Sequence, residues 1–361
     1  MHKSSTVGTA ESWPVPDLSD GRVPEPVAGV ELRGLLKKFR VGRRSALAAF
    51  RHRPDFRAEV TAVDNLNLRA ERGEVLVVLG PNGAGKTTTL KIISTLLRPT
   101  SGEVLICGID ALTDPARARL RLGVVMGGDR SVYWKLTARE NLRYYAVLQQ
   151  IARGEARSRV EAVLAEVGLS DRGDDYVERF STGMRQRLVL ARALLAEPDV
   201  VLLDEPTSGL DAHAAAYLRG LVAGMRERGT TVILATHNMD EAEELADRVA
   251  VIDHGSLIAL DGVAALKLRT RCHRRIVAEF LITRPEQAQA LVSALSLEMR
   301  VVDSEVTGEV LRAVIHSDHA DRLPRLYDAA RREGVLMVRA DTQDPTLSDV
   351  FFDMTGTGPR E

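Results

Sequence analysis

The stretch GPNGAGKTTT, which begins at Gly80, constrains the fold more than any other part of the sequence. It fits the pattern G-x-x-x-x-G-K-[ST], follows the apolar run EVLVVLG and precedes LKIISTLL, which predicts a helix. A glycine-rich turn between a buried strand and a helix aims consecutive backbone N–H groups at one point. The sequence therefore predicts a phosphate-binding loop, although a glycine-rich turn can also match this pattern by chance.

The residues of this loop have separate predicted roles toward a nucleotide. The positive end of the helix dipole attracts phosphate groups. Lys86 is expected to neutralise the β- and γ-phosphates, and the Thr87 hydroxyl is expected to ligate Mg²⁺. The predicted ATP-binding residues of the loop are Gly80, Pro81, Asn82, Gly83, Ala84, Gly85, Lys86, Thr87 and Thr88.

Two later strands end in polar residues that suit the same chemistry. VVLLDEP, residues 200–206, is an apolar run that ends in two acids. Asp204 is predicted to hold Mg²⁺, and Glu205 is predicted to orient or deprotonate the attacking water. His237 ends the run TTVILATH and is predicted to contact the γ-phosphate. The alternatives are acids that only cap a strand and a histidine that is only a surface or core residue.

Strand and helix patterns alternate around these motifs, which is typical of an α/β fold with a mostly parallel sheet. The pattern is helical from about Asp114 to Asp174. The other predicted elements are strands on both sides of a turn at residues 71–73, a strand at 198–206, a helix around 212–228, a strand at 230–237 and a hairpin at 248–260 that turns at Gly255.

The composition changes near residue 270, and a second pattern follows. Strand, helix, two strands, helix and strand succeed one another, which predicts a small α+β ferredoxin-like domain. The predicted organisation is a disordered tail at 1–28, a nucleotide-binding domain at 29–268 with a helical subdomain at about 114–180, and a C-terminal accessory domain at 269–361.

Composition excludes several classes of protein. The net charge of −1 gives no global basic field for nucleic acid. Two cysteines, Cys107 and Cys272, suit a reducing cytosol and do not suit a disulfide framework. No apolar run approaches the roughly 18–20 residues of a membrane helix, and the first residues lack a signal-peptide core. We therefore expect a cytoplasmic location.

A basic insert at residues 40–57 contains six arginines. One interpretation is a solvated surface loop. The other is a patch that faces anionic lipid headgroups or a protein partner. The sequence leaves both interpretations open.

Five motifs occur in the order and spacing of a known family. GPNGAGKTT, FSTGMRQRL, VVLLDEP, SGLD and ATH resemble the motifs of ABC-transporter ATP-binding subunits over roughly residues 30–260. STGM departs from the usual Leu-Ser-Gly-Gly-Gln signature because Thr182 stands at a glycine position, and such variants resemble those of ABC-2 type exporters. PTLSDVFFDMTG, residues 345–356, is similar to the appendage of drug- and polyketide-exporting ATPases, and the whole chain most resembles the daunorubicin-resistance type.

The resemblance implies a core made of a RecA-like sheet and a helical subdomain, and a site shared by two chains stacked head to tail. The signature residues of one chain would then contact the ATP that the loop of the other chain holds. These signature residues are Ser181, Thr182, Gly183 and Met184. Asp211 would join the two sites across the dimer. Phe39 resembles the aromatic residue that stacks on adenine, and core packing is its alternative role.

One position departs from the family. A glutamine that contacts Mg²⁺ and the permease is usual after the strand LGVV, but Gly128 stands there and Asp129 is the nearest polar replacement. Tyr133 and Trp134 would lie by the groove in which a permease helix docks. Packing within the helical subdomain is the alternative role for these two aromatic residues.

By resemblance, the chain is the ATPase subunit of an ABC-2 type exporter that uses ATP and Mg²⁺. It would pair with itself or with a similar ATP-binding chain, bind a separate transmembrane permease at the inner face of the membrane, and not bind nucleic acid. The cargo would be a drug, a polyketide or a cell-envelope compound. The rivals are a soluble ABC ATPase that acts on a macromolecular complex and a non-catalytic nucleotide-binding regulator.

Overall fold

The computed structural model describes residues 27–43, 55–126, 132–269, 274–317 and 323–355. Strands in these ranges form three sheets. The strands are β1 (Val30–Arg43), β2 (Asp55–Ala70), β3 (Val75–Leu79), β4 (Ser101–Ile106), β5 (Ile109–Asp110), β6 (Leu122–Val125), β7 (Val200–Asp204), β8 (Thr231–Thr236), β9 (Arg248–Asp253), β10 (Ser256–Asp261), β11 (Arg274–Leu281), β12 (Arg300–Thr307), β13 (Val310–Ser317) and β14 (Leu336–Gln343).

Helices cover these sheets. They are α1 (Lys86–Ile93), α2 (Pro115–Arg119), α3 (Ala138–Leu148), α4 (Arg153–Glu166), α5 (Thr182–Leu194), α6 (Ala212–Glu227), α7 (Met239–Leu245), α8 (Val263–Arg269), α9 (Pro285–Glu298), α10 (Leu323–Arg332) and α11 (Leu347–Thr355). Within the described ranges, none of them combines the length and the hydropathy that a membrane span requires.

The central sheet has six strands in the order β10-β9-β3-β8-β7-β6, and only the pair β9–β10 is antiparallel. All five residues of β3 are buried, because neighbouring residues of this strand enter two different core clusters. A parallel sheet covered on both faces needs such continuous apolar strands. The predicted α/β sheet and the hairpin at Gly255 are therefore confirmed.

An antiparallel sheet in the order β2-β1-β4-β5 lies beside the central sheet. Its β1–β2 hairpin is longer than the sequence pattern predicted, because the pairing continues to Arg43 opposite Asp55. Residues 40–43 and 55–57 therefore belong to strands and not to a loop, and the choice between a solvated insert and one that faces lipid or a partner stays a prediction. Arginines do not interrupt such a ladder, since only backbone groups form it. The rest of the insert, 44–54, lies outside the described residues.

Within the region predicted to be mainly helical, the run LGVV forms the strand β6 that the sequence also indicated. β6 pairs with β7 at the edge of the central sheet, and its residues Gly123 and Val125 are buried. The short apolar run of β6 suits a sheet strand better than a helix, since four residues make little more than one helical turn. The helical layer consists of α3, α4 and α5, which contact one another. Thr137 and Glu140 start α3 with a capping box.

The C-terminal region contains a separate antiparallel sheet in the order β12-β13-β11-β14. Helix α9 connects β11 to β12, and α10 connects β13 to β14. This is the predicted βαββαβ arrangement. Its core is a cluster of its own, centred on Phe280, Leu291 and Ile315, none of which is exposed by more than 1%.

The last helix, α11, returns to the nucleotide-binding domain. Leu347, Val350 and Phe351 belong to the core cluster that also contains Val75 and Leu79 of β3. Helix α11 contacts α7 and α8. On the other side, Asp349 accepts a hydrogen bond from the side chain of His316 on β13 at 2.6 Å. Helix α11 therefore joins the C-terminal sheet to the domain that carries the phosphate-binding loop.

The pair formed by His316 and Asp349 is almost fully buried, with 4% and 3% of each residue exposed. Burial by itself acts to raise the pKa of Asp349, but the hydrogen bonds from His316 and Thr346 outweigh it and hold the pKa below its usual value. Because the pKa is lower in the folded chain, the ionised carboxyl stabilises the fold above about pH 4. This stabilisation is lost as the pH falls through the folded pKa.

We expect Asp349→Asn to destabilise the attachment of α11 by about 1.5–3 kcal/mol at pH 7, since a charged hydrogen-bond acceptor is lost from a buried pair. Hydrogen exchange of the α11 and β13 amides measures this loss. The difference from the wild type should shrink as the pH falls below about 4.

The matched control is Asp341→Asn, which breaks an exposed ion pair with Arg339 at 2.7 Å. Exposed pairs contribute less than about 1 kcal/mol, so this variant should exchange like the wild type. Equal exchange in the Asp349 and Asp341 variants would contradict a stabilising role for the buried pair.

Candidate nucleotide site

The carboxyl ends of β3, β7 and β8 meet at one edge of the central sheet, because these strands are parallel neighbours. A cavity of about 340 Å³ opens there. It is lined by Ala62, Pro81, Asn82, Gly83, Ala84, Gly85, Lys86, Thr87, Thr88, Glu205, Ser208 and His237. The structure thus brings the predicted phosphate-binding loop together with Glu205 and His237.

The backbone of the loop requires glycine at Gly85. Its φ is +104°, and a Cβ there would lie 2.3 Å from the carbonyl oxygen of Ala62. Gly85 is the N-cap residue of α1. Because glycine has no side chain, it leaves the first N–H groups of the helix uncapped. The β9–β10 turn holds the loop from behind, since the N–H of Gly255 donates to the carbonyl of Ala84 at 2.9 Å. The result is a glycine turn that is fixed to the β9–β10 turn and leads into the N-terminus of α1, a position that favours an anion.

Lys86 supplies the cation of the cradle. Its ammonium group donates to the carbonyl oxygens of Gly80 at 2.6 Å and Pro81 at 3.2 Å, and it lies 3.5 Å from Oε1 of Glu205. Burial lowers the pKa of Lys86, and the neighbouring Glu205 carboxylate partly offsets this effect. A buried ammonium beside an open cavity is placed to exchange these contacts for phosphate oxygens.

Thr87 and Asp204 form the predicted metal-binding pair. The Thr87 hydroxyl donates to Oδ1 of Asp204 at 3.0 Å. Burial raises the pKa of Asp204, and the hydrogen bond from Thr87 acts in the opposite direction. A hydroxyl and a carboxylate are oxygen ligands of the kind that Mg²⁺ takes in phosphate sites, so these residues fit that ion.

Glu205 and His237 are in direct contact in the lining of the cavity. Oε2 of Glu205 lies 2.7 Å from Nδ1 of His237. Glu205 has a φ of +50°, an uncommon left-handed conformation for a residue with a side chain, and its N–H donates to the carbonyl of Ala235 at 2.9 Å. Glu205 and His237 follow the ends of the adjacent strands β7 and β8. The Glu205 carboxylate lies between the Lys86 ammonium and the His237 imidazole.

The signature residues lie elsewhere in the chain's own structure. Ser181 caps α5 by accepting from the N–H of Met184 at 3.2 Å, and Asp211 caps α6 by accepting from the N–H of Ala214 at 2.8 Å. The two helix ends are packed together, because a Cβ on Gly183 would lie 2.9 Å from that of Ala214. Ser181 and Thr182 are exposed. Among the described residues that line the cavity there is no signature residue and no Asp211.

Other predicted residues are also outside the cavity. Phe39 is 39% exposed, so it does not pack in the core, and the ammonium of Lys37 lies 5.1 Å from its ring centre. Phe39 is not among the described lining residues. Gly128 and Asp129 lie outside the described residues, so the replacement of the missing glutamine remains a prediction.

Two residues that line the cavity were missed by the sequence interpretation. Ser208 lies three residues after Glu205 and is the first residue of the motif SGLD. Its place in that motif could have indicated from sequence that it lines the site. Ala62 is contributed by β2, and its carbonyl oxygen closes off the glycine turn. No chemical property of an alanine could have indicated this role from sequence.

Comparisons with known proteins agree with this geometry. The profile of the ABC transporter family matches residues 63–208. The daunorubicin resistance ATP-binding protein DrrA3 of Streptomyces coeruleorubidus is 37% identical over 83% of this chain and 92% of its own length. The daunorubicin/doxorubicin resistance ATP-binding protein DrrA of Streptomyces peucetius is 38% identical over 92% of this chain and 94% of its own length.

Solved structures support the same assignment. The dimeric, post-hydrolysis structure of the ATP-binding cassette MJ0796, bound to ADP and Pi, matches with a TM-score of 0.56 and 27% identity. The match covers 64% of this chain and 98% of that one. The predicted resemblance is therefore confirmed. The chain belongs to the ABC transporter family, among the ATP-binding, ATP-hydrolysing subunits that include the daunorubicin-resistance proteins.

Proposed function

We propose that this ATPase powers an ABC-2 type exporter whose pore is a separate membrane permease, and that the cargo is a drug, a polyketide or a cell-envelope compound. The observation that carries the proposal is one cavity that unites Lys86, Glu205 and His237. The relatives named for drug resistance extend over the C-terminal domain as well, since DrrA of S. peucetius matches 92% of this chain. A soluble ABC ATPase that acts on a macromolecular complex is the alternative function.

Within the site, each side chain has a distinct step. Lys86 and the N–H groups of the loop bind and orient the phosphates. Glu205 orients the attacking water and accepts its proton, and His237 holds the Glu205 carboxylate through their 2.7 Å contact. Thr87 and Asp204 would hold Mg²⁺, which supplies positive charge that offsets the charge on the phosphates.

Two chains are needed to complete each site in this proposal. The signature residues do not line the chain's own cavity within the described structure, although Ser181 and Thr182 are exposed and available to a second chain. The structural relative MJ0796 is described as a dimer bound to ADP and Pi. We infer that Ser181 and Gly183 meet the phosphates held by the partner, and that Asp211, at the adjoining helix end, lies at the junction of the two sites.

The permease is proposed to dock on exposed aromatic residues of the helical layer, at the inner face of the membrane. Tyr133 and Trp134 are each 47% exposed, and Tyr144 is 42% exposed. The rings of Tyr133 and Tyr144 meet edge to face at 5.1 Å. Asn141 fixes the position of Tyr133 by bonding both its N–H and its carbonyl group. A rigid aromatic patch that stays partly exposed suits an interface better than a core.

For catalysis, we expect Glu205→Gln to keep nucleotide binding and to lower the turnover of ATP by about 10²–10⁴-fold, since an amide cannot accept the proton of the attacking water. Steady-state phosphate release and nucleotide binding are measured on the same preparation. Lys86→Ala is the contrasting variant, because it should weaken nucleotide binding itself. Turnover by Glu205→Gln within threefold of the wild type would remove Glu205 from this role.

The shared site is tested by mixing two inactive chains. Lys86→Ala removes the cation of the loop, and Ser181→Arg places bulk and positive charge at the signature. In a mixed dimer, one site pairs an intact loop with an intact signature, so nucleotide should be trapped with a transition-state mimic only after mixing. If cross-linking shows mixed dimers but no nucleotide is trapped, the two-chain arrangement is wrong.

For docking, we expect the double variant Tyr133→Ala/Tyr144→Ala to lose most of the permease-stimulated ATPase activity and to keep the basal activity. These rings lie outside the cavity lining. Activity is compared with and without the co-purified permease in lipid vesicles. Tyr327→Ala is the control, since this tyrosine is 52% exposed on the C-terminal domain. Equal stimulation of all three proteins would exclude the patch as the docking site.

A further inference from the structure

A buried carboxyl group outside the cavity lining connects the two catalytic strand ends. Glu241 lies in the first turn of α7, which begins two residues after His237, and only 1% of this residue is exposed. Its Oε1 accepts a hydrogen bond from the hydroxyl of Thr207 at 2.9 Å. The backbone N–H of Glu241 donates to the side chain of Asn238 at 3.1 Å, and the N–H of Asn238 donates to the hydroxyl of Thr236 at 3.0 Å. Buried carboxyl groups are costly unless they are paired, so this position calls for an explanation.

The two hydroxyl groups belong to different segments, the loop after β7 and the end of β8. Thr207 comes two residues after Glu205, and Thr236 directly precedes His237. Glu241 therefore lies between the segment that carries the proposed water-activating residue and the segment that carries the histidine. A change at Glu241 would reach the first segment through Thr207 and the second through Asn238.

The segment after β7 needs such support. Glu205 holds a left-handed backbone at φ +50°, which persists in a non-glycine residue only when the surroundings impose it. Its N–H is fixed to Ala235, but the loop beyond it reaches α7 through the hydrogen bond between Thr207 and Glu241. This hydrogen bond is well placed to keep the Glu205 side chain directed at His237.

Simple stabilisation of the fold explains Glu241 less well. Oε2 makes no hydrogen bond of ordinary geometry with the described part of the chain. Burial raises the pKa of Glu241, the hydroxyl groups of Thr236 and Thr207 lower it, the Glu205 carboxylate raises it further and Arg219 lowers it. Leaving a carboxyl oxygen buried without a hydrogen bond is unfavourable for stability. An amide or an apolar side chain would fill the same space at a smaller desolvation cost.

We propose that Glu241 is a positioning residue for ATP hydrolysis. Its buried carboxyl group holds the loop after Glu205 through Thr207, and its backbone N–H is tied through Asn238 to the strand end before His237. The proposal rests on the catalytic roles of Glu205 and His237 proposed above. Glu241 does not touch the nucleotide in this scheme. It acts through Thr207 on one side and through Asn238 and Thr236 on the other, on the 2.7 Å contact between Glu205 and His237.

The test compares ATP turnover in three variants of the full chain. Glu241→Gln keeps the size of the side chain but replaces one hydrogen-bond-accepting oxygen with a donating NH₂ group. We expect kcat to fall about tenfold while KM for ATP is unchanged, because small displacements of reacting groups have effects of this order. Thr207→Ala removes the same hydrogen bond from the other side and should give a similar loss. Thr207→Ser keeps the hydroxyl group and should restore most of kcat.

A surface variant on the same helix serves as the control. Glu244 carries a side chain that is 56% exposed and pairs with Arg219 at 2.7 Å. Glu244→Gln should have the kcat and the melting temperature of the wild type. A loss of kcat that is equal in the Glu241 and Glu244 variants would overturn the proposal, since it would report only a general effect of charge on α7.

The Glu205→Gln background separates this proposal from the proposed function. If Glu241 acts only through Glu205, adding Glu241→Gln to Glu205→Gln should lower the residual turnover by less than about twofold. A full further tenfold loss would overturn the positioning role. If Glu205→Gln alone retains activity, the catalytic assignment fails instead.

The threonine variants keep the test valid if Glu241→Gln does not fold. Thr207→Ala at the wild-type rate, with the wild-type melting temperature, would then overturn the proposal. A low kcat in Thr207→Ala that Thr207→Ser restores would support it, because a purely structural role predicts changes in the melting temperature and not in kcat alone.

Discussion

The parallel pairing of β3 with β8 and of β8 with β7 is the constraint on which the rest of this structure depends. It brings the carboxyl ends of three strands to one edge of the sheet. A polar or charged residue of the site lies at or after each of these ends. Lys86 follows the first strand, Asp204 ends the second and His237 follows the third. The apolar residues that cover both faces of the sheet therefore determine where the polar site forms.

The charged groups at this edge are paired with one another or with neutral hydrogen-bonding groups. The Lys86 ammonium lies near Glu205 and donates to backbone carbonyls, and Thr87 donates to Asp204. Burial lowers the pKa of Lys86 and raises that of Asp204, so burial disfavours the charged form of both groups. A polyphosphate with its metal ion would bring opposite charges to both side chains.

Helix α7 links this edge to the rest of the chain. Glu241 on its buried side reaches Thr207, and Glu243 accepts from the backbone N–H of Leu347 at the start of α11. Helix α11 is in turn bonded to the C-terminal sheet through the pair of Asp349 and His316. The C-terminal domain is therefore connected to the ends of β7 and β8 by a short series of packed helices and hydrogen bonds.

The sequence by itself determined the phosphate-binding loop, the acids of β7, the histidine after β8 and the alternation of strands and helices, because these features depend on local spacing and on apolar periodicity. It also indicated the order of elements in the C-terminal domain. Only the tertiary structure decided that β1 and β2 continue into the basic insert, that Phe39 lies outside the cavity, and that Ala62 and Glu241 support the site. Such contacts join residues that are far apart in the chain. The identity of a residue, such as alanine or glutamate, does not reveal which backbone group or hydroxyl group it will contact in the folded protein.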